Sequence, residues 1–250
     1  MTIAVVAEKP SVARDIAAVL GARRKERGAL RGGDWVVTWA VGHLVGLCEP
    51  RERRPYCKRW RLESLPMTVD EWKLKPLREA RDQLDAVASV LRERDVTEIV
   101  CATDAGREGE LIFRYLVEYL GIRKPVRRLW ISSLTPEAIR AGFARLRDAA
   151  STDGLANAAR GRSRADWLVG MNLTRAYTVA HGDLLSVGRV QTPTLAMLAE
   201  RERAIEAFVP EDYLELVAEF EPAATANGAA KQDARYSGTW FRAREGGVGR

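Results

Sequence analysis

Two short stretches carry side chains that could do chemistry together. The first is Thr103-Asp104-Ala105-Gly106-Arg107-Glu108-Gly109-Glu110, which follows the apolar run Ile99-Val100-Cys101-Ala102. That run has the composition of a buried strand, which puts Asp104 and Glu108 at a strand's carboxyl end. Carboxylates gathered where a parallel sheet opens hold a hard divalent cation, because Mg²⁺ takes oxygen ligands and keeps several of its waters. Such a site suits chemistry on phosphates. A plainer reading stays open: a polar turn ahead of a helix from Leu111 to Leu120, with Glu108 and Glu110 favouring the helix N-terminus. The second stretch is Glu8-Lys9-Pro10-Ser11, directly after the apolar strand Ile3-Ala4-Val5-Val6-Ala7 and before an amphipathic segment that reaches Leu20. Two strands therefore end in acidic loops.

The elements that must position these loops follow from periodicity. Residues 1 to about 150 alternate short apolar strands (3 to 7, 35 to 41, 97 to 103, 126 to 132) with helical patterns (10 to 20, 76 to 94, 108 to 120, 135 to 148). That alternation predicts an α/β layer on a mostly parallel sheet. Thr135-Pro136-Glu137, a cap followed by proline at the first helical position, marks the best-defined helix start. From 154 to 207 the pattern is helical, with breaks near Gly182 and Gly188. Tyr213 to Phe220 then alternates as a strand, Ala223 to Ala230 is a small-residue loop, and Arg235 to Arg242 reads as another strand.

Composition allows one large domain or two modest ones with real cores, since 46% of the 250 residues are hydrophobic. Forty Lys and Arg against 34 Asp and Glu give a net charge of +6, a modest bias toward polyanions. Cys48, Cys57 and Cys101 are too few and too scattered for a disulfide framework or a zinc knuckle. No run of 18 apolar residues occurs, and the chain opens on a strand without a leader pattern. The expectation is a cytoplasmic protein without a membrane partner.

The segment from Arg51 to Arg61 interleaves six cations with Tyr56 and Trp60. Such mixtures hold single-stranded nucleic acid, cations tracking phosphates and rings stacking on bases; a solvated loop anchored by its two aromatics explains the segment equally well. Arg162, Arg164 and Arg175 lie along a helical pattern with Asp166 and Asn172, where Asp166 could simply pair with Arg162 at i,i+4. His43 and His181 have no visible partner, and Trp130 and Trp167 read as core.

Glu8-Lys9-Pro10-Ser11 and Asp104 to Glu110 resemble the two acidic motifs of the Toprim domain. Gly42-His43-Leu44, Lys58-Arg59-Trp60 with Leu65-Pro66, Ser163 to Arg175, and Ser186-Val187-Gly188-Arg189-Val190-Gln191-Thr192-Pro193-Thr194-Leu195 resemble the topoisomerase III branch of type IA DNA topoisomerases. The likeness runs from residue 2 to about residue 221. It implies a Toprim domain over 1 to 150, a helical DNA-groove domain over 151 to 209, and the opening strands of an arch domain over 210 to 250.

The activity the resemblance implies is Mg²⁺-dependent cleavage and religation of single-stranded DNA. A tyrosine attacks a phosphodiester, leaving a 5′-phosphotyrosyl link and a 3′-hydroxyl that later reseals. Glu8 matches the general acid and a possible metal ligand, Lys9 the charge stabiliser, and Asp104 and Glu108 the Mg²⁺ ligands, with Glu110 a weaker candidate. In type IA enzymes the helix matching 162 to 175 borders the groove that delivers the strand. The DNA contacts implied here are therefore Arg162, Arg164, Asp166, Asn172 and Arg175, together with Ser186, Arg189, Gln191 and Thr192.

Two departures matter. Many members carry Asp-x-Asp-x-Glu, whereas Gly106 stands at the middle position here. None of Tyr56, Tyr115, Tyr119, Tyr177, Tyr213 and Tyr236 lies in the proline-arginine-threonine-aspartate context of the family's nucleophile. The expectation is an amino-terminal portion, whether by truncation, design or gene decay, that cannot cleave DNA alone and whose partner is the tyrosine-bearing remainder. The alternative is a non-catalytic Toprim module that binds single-stranded DNA. A Toprim primase or nuclease should lack the Gly188-Arg189-Val190-Gln191-Thr192-Pro193 segment.

Overall fold

The computed structural model describes residues 1–53, 58–221 and 235–240. Tyr56, Cys57 and the expected loop from Ala223 to Ala230 lie outside them. The elements run β1 (Thr2–Ala7), α1 (Pro10–Leu20), β2 (Arg24–Glu26), β3 (Ala29–Gly32), β4 (Trp35–Trp39), β5 (Val45–Leu47), α2 (Pro50–Arg53), β6 (Leu74–Pro76), α3 (Arg81–Arg92), β7 (Val96–Ala102), α4 (Arg107–Leu120), β8 (Val126–Arg128), α5 (Pro136–Phe143), β9 (Arg147–Asp148), α6 (Asp153–His181), α7 (Gln191–Glu206), β10 (Val217–Phe220) and β11 (Tyr236–Thr239).

The chain divides into two compact units, Met1–Thr194 and Leu195–Arg250. In the first, seven strands form one sheet in the order β2-β3-β4-β1-β7-β8-β9. Its centre, β4-β1-β7-β8, is parallel, while β2 and β3 on one side and β9 on the other join antiparallel. The expected α/β class with a mostly parallel sheet is what the chain adopts, followed by helical α6 and α7.

Strand periodicity fixes the layers. Along β1, Ala4 and Val6 face a core shared with Leu84, Val87 and Leu91 of α3 and Leu111, Phe113 and Leu116 of α4. Val5 and Ala7 face the opposite core, built with Val12, Ala13 and Ile16 of α1 and Ile139 of α5. The central strands are thus buried on both faces, as a parallel sheet requires. Each fully buried valine contributes roughly 1.5–3 kcal/mol of transfer free energy. Among the described residues no helix is long and apolar enough to cross a membrane.

Some boundaries differ from the periodicity. The helix expected over 76 to 94 starts at Arg81, because Leu74–Pro76 pairs instead with Val45–Leu47. The helix expected to 148 ends at Phe143, since Arg147 and Asp148 add an edge strand to β8. The strand expected over 126 to 132 stops at Arg128. In the second unit, β10 and β11 pair antiparallel with Phe220 stacked on Tyr236 at 5.1 Å; the strand expected from 213 begins at Val217, and residues 241–242 of the strand expected over 235–242 lie outside the described residues.

Candidate active site

Register brings the two acidic motifs together. Ala7, the last residue of β1, pairs with Ala102, the last of β7, so Glu8 and Asp104 leave adjacent parallel strands at the same edge. Ala7 also pairs with Trp39 at the end of β4, and the chain beyond it carries His43 to that edge. Pro10 at the start of α1 holds Lys9 extended, with φ −136° and ψ 151°.

The side chains meet there. Lys9 Nζ donates to Asp104 Oδ2 at 3.2 Å and lies 3.7 Å from Glu8 Oε1. The Asp104 backbone N–H donates to Glu8 Oε2 at 3.1 Å. The hydrogen bond to Asp104 and that carboxylate's charge, with the charge of Glu8, raise the Lys9 ammonium above the ordinary lysine value. Glu8 is largely shielded, its side chain 12% exposed, whereas Asp104 and Glu108 are open at 55% and 63%. His43, to which the sequence assigned nothing, lies with Nε2 3.5 Å from Glu108 Oε2. Both residues are local in no sense, so no spacing pattern could have paired them.

The donor chemistry fits Mg²⁺ in one limited sense. Asp104 and Glu108 offer hard, solvent-open carboxylate oxygens, which suit an ion that retains most of its waters. They do not form a closed cage: among the described residues no group of three His, Cys, Asp or Glu side chains converges. Gly106 is extended at φ −171° and a Cβ there would meet nothing within 4 Å, so the missing middle carboxylate is a chemical choice and not a steric one.

Glu110 needs correction as a metal candidate. It is 1% exposed and sits in a buried pair with Arg128, whose Nε lies 2.5 Å from Glu110 Oε1. Its other oxygen accepts from Thr152 Oγ1 at 3.1 Å and Arg114 Nε at 3.4 Å. A carboxylate so enclosed cannot also reach a cation at the sheet edge. Gly109 is the other residue the sequence reading passed over: its Cα packs against the Asp104 backbone so closely that a Cβ would lie 2.1 Å from the Asp104 carbonyl oxygen.

Beside the acidic edge lies a cleft of about 420 Å³ between β5, α4 and α6, lined by His43, Glu108, Leu111, Tyr115, Arg162, Asp166 and Trp167 among others. A second cleft, of about 460 Å³, shares Arg162 and Asp166 and adds Arg107, Arg189 and Val190. Asp166 does pair with Arg162, at 3.7 Å, but its closer partner is Arg189 Nη1 at 2.9 Å. The two segments that resemble the DNA groove are therefore tied to each other by one carboxylate.

The remaining expected DNA contacts divide by exposure. Ser186 and Gln191 are exposed and bonded to each other at 2.8 Å, and Thr192 Oγ1 accepts from the Gly188 N–H at 3.1 Å. Asn172 instead clasps its own chain, accepting from the Met67 N–H at 2.6 Å and donating to the Met67 and Leu168 carbonyls. Arg175 is buried, bonded to the Met171 carbonyl at 2.8 Å and stacked 4.9 Å over Trp60, which makes Trp60 an anchor of its segment. Arg164 lies 5.4 Å over Trp72, itself edge-on to buried Trp167. Trp130 is flanked by Arg128 and Arg147. Thr174 and Thr178, one turn apart on α6, were missed: each hydroxyl bonds both the N–H and the carbonyl of one residue, Val187 and Leu185 respectively, and so lays residues 185–187 along the helix.

Comparison with known proteins places this arrangement. The Toprim domain model matches residues 3–134. The chain belongs to the Toprim family. A DNA topoisomerase family model matches residues 150–245, beyond the Toprim portion. Relatives include DNA topoisomerase 3 of Shouchella clausii, 52% identical over 210 residues, and DNA topoisomerase 3 of Bacillus subtilis, 50% identical over 209. Each alignment covers 84% of this chain and 29% of the relative, so the Toprim chain spans less than a third of the length of these homologues. Full-length topoisomerase I of Thermotoga maritima shares the fold, with a TM-score of 0.60 at 23% identity over 88% of this chain and 33% of the other.

Proposed function

We propose that this Toprim chain is the acid-bearing portion of a type IA topoisomerase of the topoisomerase III kind, working on single-stranded DNA by reversible transesterification. The observation that carries the reading is the meeting of Glu8, Lys9 and Asp104 at one sheet edge, with Lys9 3.2 Å from Asp104. Bond exchange at a phosphodiester needs a proton for the departing 3′ oxygen, positive charge for the phosphorane-like transition state, and positioning. Glu8, shielded and fixed by the Asp104 N–H, is the proton donor. Lys9 is half exposed, so its ammonium can turn from Asp104 toward a phosphate that enters the edge. Asp104 and Glu108 would hold Mg²⁺, which when bound supplies further positive charge beside the phosphate.

Arg162 and Arg189, held at one carboxylate beside the acidic edge, present their guanidinium groups toward the strand. Such phosphate contacts position DNA without reading its sequence. Ser186, Gln191 and Thr192 are exposed beside them. Asn172 and Arg175 act one layer behind, fixing Met67 and Trp60. The nucleophile is a tyrosine outside the motifs recognisable in this sequence, which makes the tyrosine-bearing portion of the enzyme a required partner. If that partner does not engage the chain, the chain is a single-stranded DNA-binding module only.

The test is fluorescence anisotropy with labelled single-stranded and duplex DNA over a salt series. Single strands should bind more tightly, with log affinity falling against log salt by roughly 0.7 per phosphate neutralised. Replacing Arg162 and Arg189 by Ala should flatten that slope by about the same amount each. Equal affinity for both forms of DNA, or a slope unchanged by the substitutions, refutes the groove.

A further inference from the structure

Arg128 stands behind the acidic loop, and the proposed reaction does not use it. It is fully buried on β8, and its guanidinium binds four backbone carbonyls as well as Glu110. Nη1 reaches Cys101 O at 3.1 Å, Thr103 O at 2.7 Å and Leu129 O at 2.8 Å, and Nη2 reaches Asp104 O at 2.7 Å. One planar fork therefore spans the end of β7 and the first two residues of the loop that carries Asp104. Glu110 holds that fork from behind, and Thr152 and Arg114 hold the other oxygen of Glu110.

The Asp104 carbonyl also accepts the Gly106 N–H at 2.9 Å, the Asp104 N–H goes to Glu8, and Gly109 abuts the Asp104 backbone. Thr103 Oγ1 donates to the Gly109 carbonyl at 2.8 Å, tying the loop to the first turn of α4. Every one of these contacts fixes main chain, and together they set where the Asp104 side chain leaves the backbone, within reach of Lys9. Burying an ion pair is costly and adds little net stability over apolar packing of equal volume. A guanidinium is suited to the task because its five donors lie in one rigid plane, an arrangement that an ammonium cannot reproduce.

We infer that Arg128, held by Glu110, is a positioning residue for the acidic cluster, setting the Asp104 loop so that Asp104, Glu8 and Lys9 meet. The inference rests on reading those three residues as the reacting cluster, but the geometry it claims is measurable without DNA, metal or cleavage.

The measurement is amide hydrogen exchange by NMR on the full chain. Arg128→Lys keeps the charge that neutralises Glu110 and loses the fork. Exchange at Asp104 and Gly106 should rise roughly tenfold to a hundredfold, the loss of a hydrogen bond to a charged group, while Ile99, Val100 and Leu116 keep their wild-type protection. A joint Glu110→Leu, Arg128→Met variant leaves no unpaired buried charge and should give the same loop-confined change even if the lysine variant does not fold. Unchanged exchange at Asp104 and Gly106 in a folded variant would overturn the inference. So would a uniform rise across loop and core, because that pattern belongs to a residue that only stabilises the fold. Failure of strand cleavage in other experiments would leave this result standing and would count against the proposed reaction alone.

Discussion

Replacing Gly109 by Ala should damage both the fold and the acidic cluster, against the ordinary expectation for a helical glycine. In an exposed helix interior the change gains up to about 1 kcal/mol from lower backbone entropy in the unfolded chain. At Gly109, in the first turn of α4, the added carbon would lie 2.1 Å from the Asp104 carbonyl oxygen, 2.9 Å from its nitrogen and 3.0 Å from its carbonyl carbon. All three are main-chain atoms, so no rotamer relieves the clash and the loop must retreat by more than an ångström. Overpacking of this kind costs roughly 1–3 kcal/mol, and retreat also weakens the Asp104 bonds to Glu8 and Arg128. The net expectation is a loss of about 1–2 kcal/mol, read as a lower urea midpoint at unchanged slope. Gly161→Ala in α6 is the control: a Cβ there meets nothing within 4 Å, and it should gain about 0.5–1 kcal/mol. If Gly109→Ala stabilises as much as Gly161→Ala, the close approach described here is wrong.

Gly106→Asp should leave stability within about 0.5 kcal/mol, because the site is open and extended and an exposed substitution away from packing is near neutral. It should also tighten Mg²⁺ in calorimetry with DNA present, and an Asp104→Asn, Glu108→Gln variant with the wild-type isotherm would remove the metal assignment. For Lys9, the raised folded value means its pairing stabilises fully below the ordinary lysine value of 10.5 and is lost only as pH rises through the still higher folded value. The stability difference between wild type and Lys9→Met should therefore be flat from about pH 6 to about pH 9 in urea titrations. A difference that collapses within that window would contradict the Lys9–Asp104 bond.

Local signals in the sequence carried the first unit's centre. Continuous apolar runs announced β1 and β7, the amphipathic segment to Leu20 and Thr135-Pro136 announced α1 and α5, and the Thr135 hydroxyl indeed accepts from the Ala138 N–H at 3.3 Å. What stayed hidden depended on partners far along the chain. Arg24–Glu26 is wholly polar and exposed, and becomes a strand only because Ala29–Gly32 pairs with it and in turn with β4. Pro76 fell inside the helix expected from 76, yet it closes a short strand, Leu74–Pro76, that exists only because β5 supplies its ladder. At the site, the acidic residues were legible because their types and strand-end placement speak for themselves. Burial of Glu110 by Arg128, the approach of His43 to Glu108, and the Thr174 and Thr178 clasp are products of packing across 7 to 65 residues of chain, and periodicity says nothing about them.

The central claim is that this chain supplies proton donor and charge to a nucleophile it does not itself carry in recognisable form. The most direct measurement is denaturing electrophoresis of end-labelled single-stranded DNA after incubation with Mg²⁺, using the 250-residue chain alone and the chain joined to the tyrosine-bearing remainder of a DNA topoisomerase 3 relative. No protein-linked label is expected from the chain alone, because positioning and charge cannot replace a nucleophile. The joined protein should yield a covalent adduct that disappears on Glu8→Gln or Lys9→Met substitution. An adduct formed by the chain alone, or one from the joined protein that is indifferent to Glu8 and Lys9, would contradict that claim.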